Sequence, residues 1–124
     1  MVIKLKGLIL LFLMLASAPV YADDFQDGQN AYRRGEYRVA FEKFKSLAQE
    51  GNPQAQWLLS GLYARGMGVA RDYVEALMWS AIAGANGVEI AIIGRDMLQK
   101  QMAPNQVNDA YKQAREWMKE FNKN

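Results

Sequence analysis

The sequence predicts an all-α fold, a short array of about three helix-turn-helix hairpins, and three observations carry that prediction. Beyond residue 23, apolar and small residues recur at offsets of three and four, the period of one helix face, and no run of period-two alternation competes. Glycine, proline and capping residues fall between the periodic segments. The pattern also repeats. Tyr37-x-x-Ala40 returns as Tyr73-x-x-Ala76 and Gly51 as Gly87, both 36 residues on, and Val107-x-x-Ala110 follows 34 after that. Tyr32-x-x-Gly35 and Tyr63-x-x-Gly66 stand 31 apart, and an inserted Met67–Arg71 accounts for the difference. Periods of this length mark stacked hairpins, each hiding its apolar face against a neighbour.

Six helices follow in order. Phe25, Gly28 and Tyr32 mark the first, closed by Gly35. Tyr37, Ala40, Phe41, Phe44, Leu47 and Ala48 mark the second. Gly51-Asn52-Pro53 ends that helix and starts the third, with Asn52 as cap and Pro53 at the first helical position. Ala55, Leu58, Leu59, Leu62 and Tyr63 give the third its stripe, and Gly66 and Gly68 supply a tight turn. Asp72 caps the fourth, with Glu75 completing a capping box, and Tyr73, Ala76, Leu77, Ser80 and Ala83 form its stripe up to Gly87. Ile90, Ile93, Met97 and Leu98 mark the fifth. Pro104 opens the sixth, the most regular, with Val107, Ala110, Tyr111, Ala114, Trp117, Met118 and Phe121. The expected units are residues 23–51, 52–87 and 88–121.

The first 22 residues read as a secretory signal peptide. Lys4 and Lys6 precede an apolar run, Leu8–Leu15, and Val20-x-Ala22 before Asp23 is the best cleavage site. The run is too short to span a bilayer, which takes about 20 residues, so no stable membrane span is expected after cleavage. The implied location is periplasmic or secreted, by bacterial Sec-type export. With Lys4 and Lys6 gone, 13 basic residues face 13 acidic ones in residues 23–124. A neutral product gives no global case for nucleic acid or anionic lipid as partner.

Chemistry is sparse. The chain has no cysteine and no histidine, so serine–histidine and cysteine–histidine systems are excluded and a zinc site is implausible. No catalytic residue, metal ligand or cofactor is expected. Gly66-x-Gly68-Val69 follows a helix rather than a strand and lacks the ending of a phosphate loop. Asp23, Asp24 and Asp27 read as a frayed acidic end rather than a calcium site.

Residues 52–87 resemble the Sel-one-like repeat, a branch of the tetratricopeptide-like superfamily. The likeness rests on Ala55, Leu59, Tyr63, Gly66, Gly68, Val69, Asp72, Tyr73, Ala76, Trp79, Ala83 and Gly87 in register. Ser60 stands where the family prefers glycine, and Gly84 where it prefers alanine, so the end of the fourth helix is expected to fray. Residues 23–50 resemble a plainer tetratricopeptide unit. Residues 91–121 are similar to the family's terminal hairpin through Pro104, Gln106 and Ala114-Arg115-Glu116-Trp117, with Ala103 replacing the usual hydroxyl cap. The resemblance implies a right-handed α-solenoid whose first helices line a concave face.

Carried over by position, that face holds Gln26, Asn30, Arg33 and Arg34 from the first unit. The second adds Gln54, Trp57, Ala64 and Arg65. The third adds Ile90, Ile93, Met97, Lys100 and Gln101. Trp57 lies about 200° around its helix from Ala55, off the core stripe, where a large aromatic suits a binding anchor. Ile90, Ile93 and Met97 are too apolar to be exposed together, and some are expected to pack on the sixth helix. The expected function is an exported protein–protein interaction adaptor, not an enzyme. It would take a protein or peptide that is acidic or ends in a carboxylate, held by arginine forks around Trp57. The alternatives are a carboxylate-based enzyme of envelope glycans or cell wall, and a structural subunit of an oligomer.

Overall fold

A computed structural model describes residues 21–124 of the chain, and all of the expected leader but Tyr21 and Ala22, its basic start and apolar run included, lies outside that range. Six helices and no strands are found among the described residues: α1 (Tyr21–Arg33), α2 (Tyr37–Gln49), α3 (Pro53–Arg65), α4 (Tyr73–Ala85), α5 (Glu89–Gln99) and α6 (Pro104–Phe121). None is long and apolar enough to cross a membrane.

The helix ends follow from local chemistry. Asn52 caps α3, its side chain accepting a hydrogen bond from the Ala55 N–H at 3.0 Å, with Pro53 in the first turn. Gly66 ends α3 in the left-handed region, at φ 67° and ψ 40°. Gly68, at φ +76°, lies so close to the backbone of Tyr37 and Arg38 that a Cβ would overlap the Tyr37 carbonyl. The turn between α3 and α4 is thereby pressed onto the start of α2, and only glycine fits. Asp72 caps α4 by accepting from the Glu75 N–H at 3.1 Å.

Packing proceeds by hairpins and by stacking. α1 pairs with α2, α3 with α4, and α2 leans on α3. Small residues sit where helices cross: Ala31, Ala40, Ala48, Ala55, Ala76, Ala83, Ala91 and Ala110 have no exposed surface. Aromatic rings fill the remaining space, with Phe25 edge-on to Phe44, Phe41 edge-on to Tyr63 and Trp79 edge-on to Trp117. α4 is the centre of the molecule, buried continuously from Ala76 to Ala83. Its buried polar partners are satisfied. Ser60 donates to the Ala76 carbonyl across the α3–α4 crossing at 2.6 Å, so the hydroxyl at the family's glycine position binds the helices together. Gln56, fully buried, donates to the Ala48 carbonyl and accepts from Asn86, bridging α2, α3 and the end of α4.

The last two helices depart from expectation. α5 and α6 each pack on α4 and make little contact with one another. Only Ala91 of α5 is buried. Ile90, Ile93 and Met97 do not pack on α6; they are 57%, 62% and 59% exposed. The face of α6 that they were expected to cover is met instead by α4. Trp117 packs on Trp79, and the Phe121 ring stacks on Trp117 at 4.9 Å and reaches the turn at Gly51. α5 meets α6 where Leu98 joins the cluster of Leu77, Met102 and Ala110, and through a hydrogen bond from the Gln99 amide to the Tyr111 hydroxyl.

Three smaller expectations are also corrected. The capping box at α4 is half formed: Asp72 accepts from the Glu75 N–H, but the Glu75 side chain makes no return bond to the Asp72 N–H. The acidic start of α1 is helical, not frayed, and Asp24 pairs with Lys43 of α2 at 3.3 Å. Gly84 does not fray α4. The helix runs on to Ala85, and Ile92 of α5 comes so close to Gly84 that a Cβ would be tight.

Candidate functional site

α1 and α3 do not touch closely along their length, and the space between them is an open groove of about 260 Å³. One wall is Gln29, Tyr32 and Arg33 of α1. The other is Trp57, Leu58, Gly61, Leu62 and Arg65 of α3, and Phe44 of α2 lies at the base. Trp57, Gly61 and Arg65 succeed one another at intervals of four, which places all three on one stripe of α3. Gly61 forms an open floor, since a Cβ there would have no neighbour within 4 Å.

The charge of the groove is concentrated at one end. Arg33 and Arg65 occupy the last turns of α1 and α3. Both complement the negative end of their own helix dipole, and both guanidinium groups are exposed at the rim. Arg65 donates to the Tyr32 hydroxyl across the groove at 3.4 Å, and Arg33 donates to the Asn30 side chain at 3.4 Å. Neither arginine forms a salt bridge among the described residues. The arrangement offers two cationic donors beside an aromatic and aliphatic trough.

Of the residues expected on the concave face, Arg33, Trp57 and Arg65 are brought together here. Arg34 is not: it forks onto Glu36 at 3.2 and 3.4 Å, which neutralises it. Gln26 and Asn30 hydrogen-bond to each other at 3.3 Å along α1, outside the lining. Lys100 stands exposed at the end of α5, also outside it. Trp57 is half-buried. It lines the groove, and the far edge of its indole lies against the bare backbone of Gly94 on α5, where a Cβ would be crowded out. It is thus both a groove wall and a contact between hairpins.

Gln29, Tyr32, Phe44, Leu58, Gly61 and Leu62 line the groove without having been expected there. Gly61 was detectable as the residue midway between Trp57 and Arg65 on one helical stripe. Leu58 and Leu62 read as core from periodicity, and Leu62 is indeed buried while still bordering the opening.

No carboxylate lines the groove. The shifted carboxyl is Glu75, half-buried on α4 beneath the α3–α4 hairpin. Burial raises its pKa, the neighbouring Asp72 raises it further, and the Trp79 indole and Lys45 pull it back. Tyr63 nearby is pushed up to about 12 by burial, then by Glu75, Asp72 and Glu42. Among the described residues no three acidic side chains gather as metal ligands would.

No family model matches the chain. Two curated proteins are similar to part of it. An exopolysaccharide production negative regulator of Rhizobium leguminosarum bv. viciae is 34% identical over 67 residues, 54% of this chain and 25% of that protein. Its counterpart in Rhizobium meliloti is 34% identical over 65 residues, 52% of this chain and 24% of that protein. The chain therefore spans about a quarter of the length of the curated relatives it matches. Among solved structures, a protective antigen of uropathogenic Escherichia coli strains with an SLR fold superposes with a TM-score of 0.74 at 26% identity. That match covers 82% of this chain and 23% of the other. With its six helices stacked as that match describes, the chain has the SLR fold, an all-helical solenoid of about three hairpins similar to Sel-one-like repeat proteins.

Proposed function

We propose that this chain is an exported protein-binding adaptor of the periplasm or cell exterior. Its groove between α1 and α3 receives a peptide segment that is acidic or ends in a free carboxylate. The observation that carries this reading is the groove itself: a concave trough with an aromatic wall, an open glycine floor and two rim arginines. Guanidinium groups match carboxylates in shape and charge, and a preformed trough spares the partner the cost of ordering the protein. The groove carries no acid–base pair, so the reading is of recognition without catalysis. The relatives named as negative regulators of exopolysaccharide production support a regulatory role, exercised by binding, for the part of them that this chain resembles.

Binding of labelled acidic peptides by fluorescence anisotropy tests the proposal. Arg65→Gln should weaken binding about tenfold by removing a charged hydrogen bond, and Gly61→Phe should abolish it by filling the trough. Trp57→Ala is a poorer test, because the same ring supports α5 at Gly94. Unchanged affinity in both the Arg65→Gln and Gly61→Phe proteins would refute the site.

A further inference from the structure

α5 carries the most exposed large apolar side chains of the described solenoid: Ile90, Ile93 and Met97. Their direction follows from Gly94, whose bare backbone faces Trp57 of α3. At 100° per residue, Ile90, Met97 and Ile93 lie about 40°, 60° and 100° to one side of Gly94. Ala91 and Leu98 lie about 60° and 40° to the other side, toward α4. Ala91 is fully buried, and Leu98 packs on the cluster of Leu77 and Met102. The exposed stripe thus turns away from the core and starts where the Trp57 indole ends. Trp57 belongs to both surfaces, so groove and stripe form one continuous face, cationic at α1 and α3 and apolar at α5.

Resting on the groove reading above, we infer that this face recognises a bipartite peptide. Its acidic carboxyl end lies between Arg33 and Arg65, and aliphatic side chains a few residues upstream lie on Ile90, Ile93 and Met97 beyond Trp57. The charge asymmetry selects this occupant. A second copy of the chain would have to bring an apolar stripe to α5 and acids to the two arginines at once, whereas a short extended segment needs only a polarity along its length. Arg65 lies eight residues, about 12 Å, along α3 from Trp57, and α5 lies about 10 Å to the side, so about five extended residues cover the diagonal. The aliphatic residues therefore stand about five positions before the acidic end. The acidic end supplies salt-sensitive attraction, and the aliphatic part supplies burial that salt does not screen.

The test uses two labelled peptides of about eight residues, each ending in two aspartates and a free carboxylate. One carries two leucines in its upstream half, and the other has serines in their place. The leucine peptide should bind at least about tenfold more tightly, the gain that burying two aliphatic side chains provides even after ordering costs. Ile93→Ser combined with Ile90→Ser should erase that difference and leave the serine peptide's affinity unchanged. Both positions are exposed, so helicity by circular dichroism should match the parent. The leucine advantage should also survive at high salt. Equal affinity for both peptides in the parent protein overturns the inference while leaving the groove reading intact. Failure of both peptides to bind removes the groove reading as well. A dimer in sedimentation that the double substitution converts to a monomer, with no leucine advantage, assigns the stripe to a seam between copies and overturns the inference too.

Discussion

Gly61 sits in the interior of α3 with empty space where a side chain would begin. Two substitutions there separate stability from recognition. Gly61→Ala should raise unfolding free energy by about 1 kcal/mol, because alanine restricts the unfolded chain and meets no clash. Urea denaturation checks this. Gly61→Phe should keep the fold and close the groove. Glu75 offers a second test at the same scale. Its pKa lies above the ordinary 4.5, through burial first and Asp72 second. A carboxyl with a raised folded pKa favours folding below its unfolded value, and that contribution is lost as pH rises through the folded one. Glu75→Gln removes the buried charge and retains a group that can accept from Trp79. The substitution should stabilise the protein at about pH 7 and have little effect near about pH 4, measured by urea unfolding at both. The sequence marked Glu75 as a helix cap. What it could not show is that burial and Asp72 together raise its pKa against the opposing pull of Trp79 and Lys45.

Among the elements, α6 starts least well. Ala103 has the extended backbone of a cap, at φ −70° and ψ 148°, but no side-chain acceptor, and only Gln106 reaches back to its N–H at 3.2 Å. Ala103→Ser should complete the reciprocal pair and add about 1 kcal/mol, visible as a higher melting temperature. This weakness was readable from the sequence, because capping depends on residues within one turn. α5 was read less well. Its period of three and four correctly gave a helix, yet none of Ile90, Ile93 and Met97, some of which were expected to pack on α6, is covered. Periodicity reports that one face is apolar; whether another element covers that face depends on where α6 goes. Here α6 crosses α4 rather than α5, drawn by Trp117 against Trp79 at 5.3 Å. The cover expected for Ile90, Ile93 and Met97 is therefore absent among the described residues.

For the whole molecule, stacking makes the hairpins interdependent. α4 is wrapped by α3, α5 and α6, and Phe121 of the last helix reaches back to the turn at Gly51 between the first two hairpins. Trp117→Ala, though located in the final helix, should cost about 2 kcal/mol, since it removes the ring that covers Trp79. Unfolding followed by circular dichroism and by tryptophan fluorescence should remain one coincident transition. A separate early loss of α6 would show instead that the hairpins unfold in sequence, as loosely coupled repeats do. The proposed binding face is likewise a property of the assembly. Arg33, Arg65, Trp57 and the α5 stripe come from three different helices and share one face only because the hairpins stack.

The helices, their caps, the glycine turns and the repeat were determined by the sequence itself. Each depends on contacts within a few residues, or on a period that the chain displays openly. Tertiary structure alone decided which apolar stripes are covered and which cations remain available. Arg65 reaches across the groove to the Tyr32 hydroxyl, 33 residues earlier in the chain. Trp57 stands half in and half out because Gly94, far along the chain, leaves room for its ring. Coverage is a relation between distant segments, and no local pattern encodes the angle at which one helix crosses another.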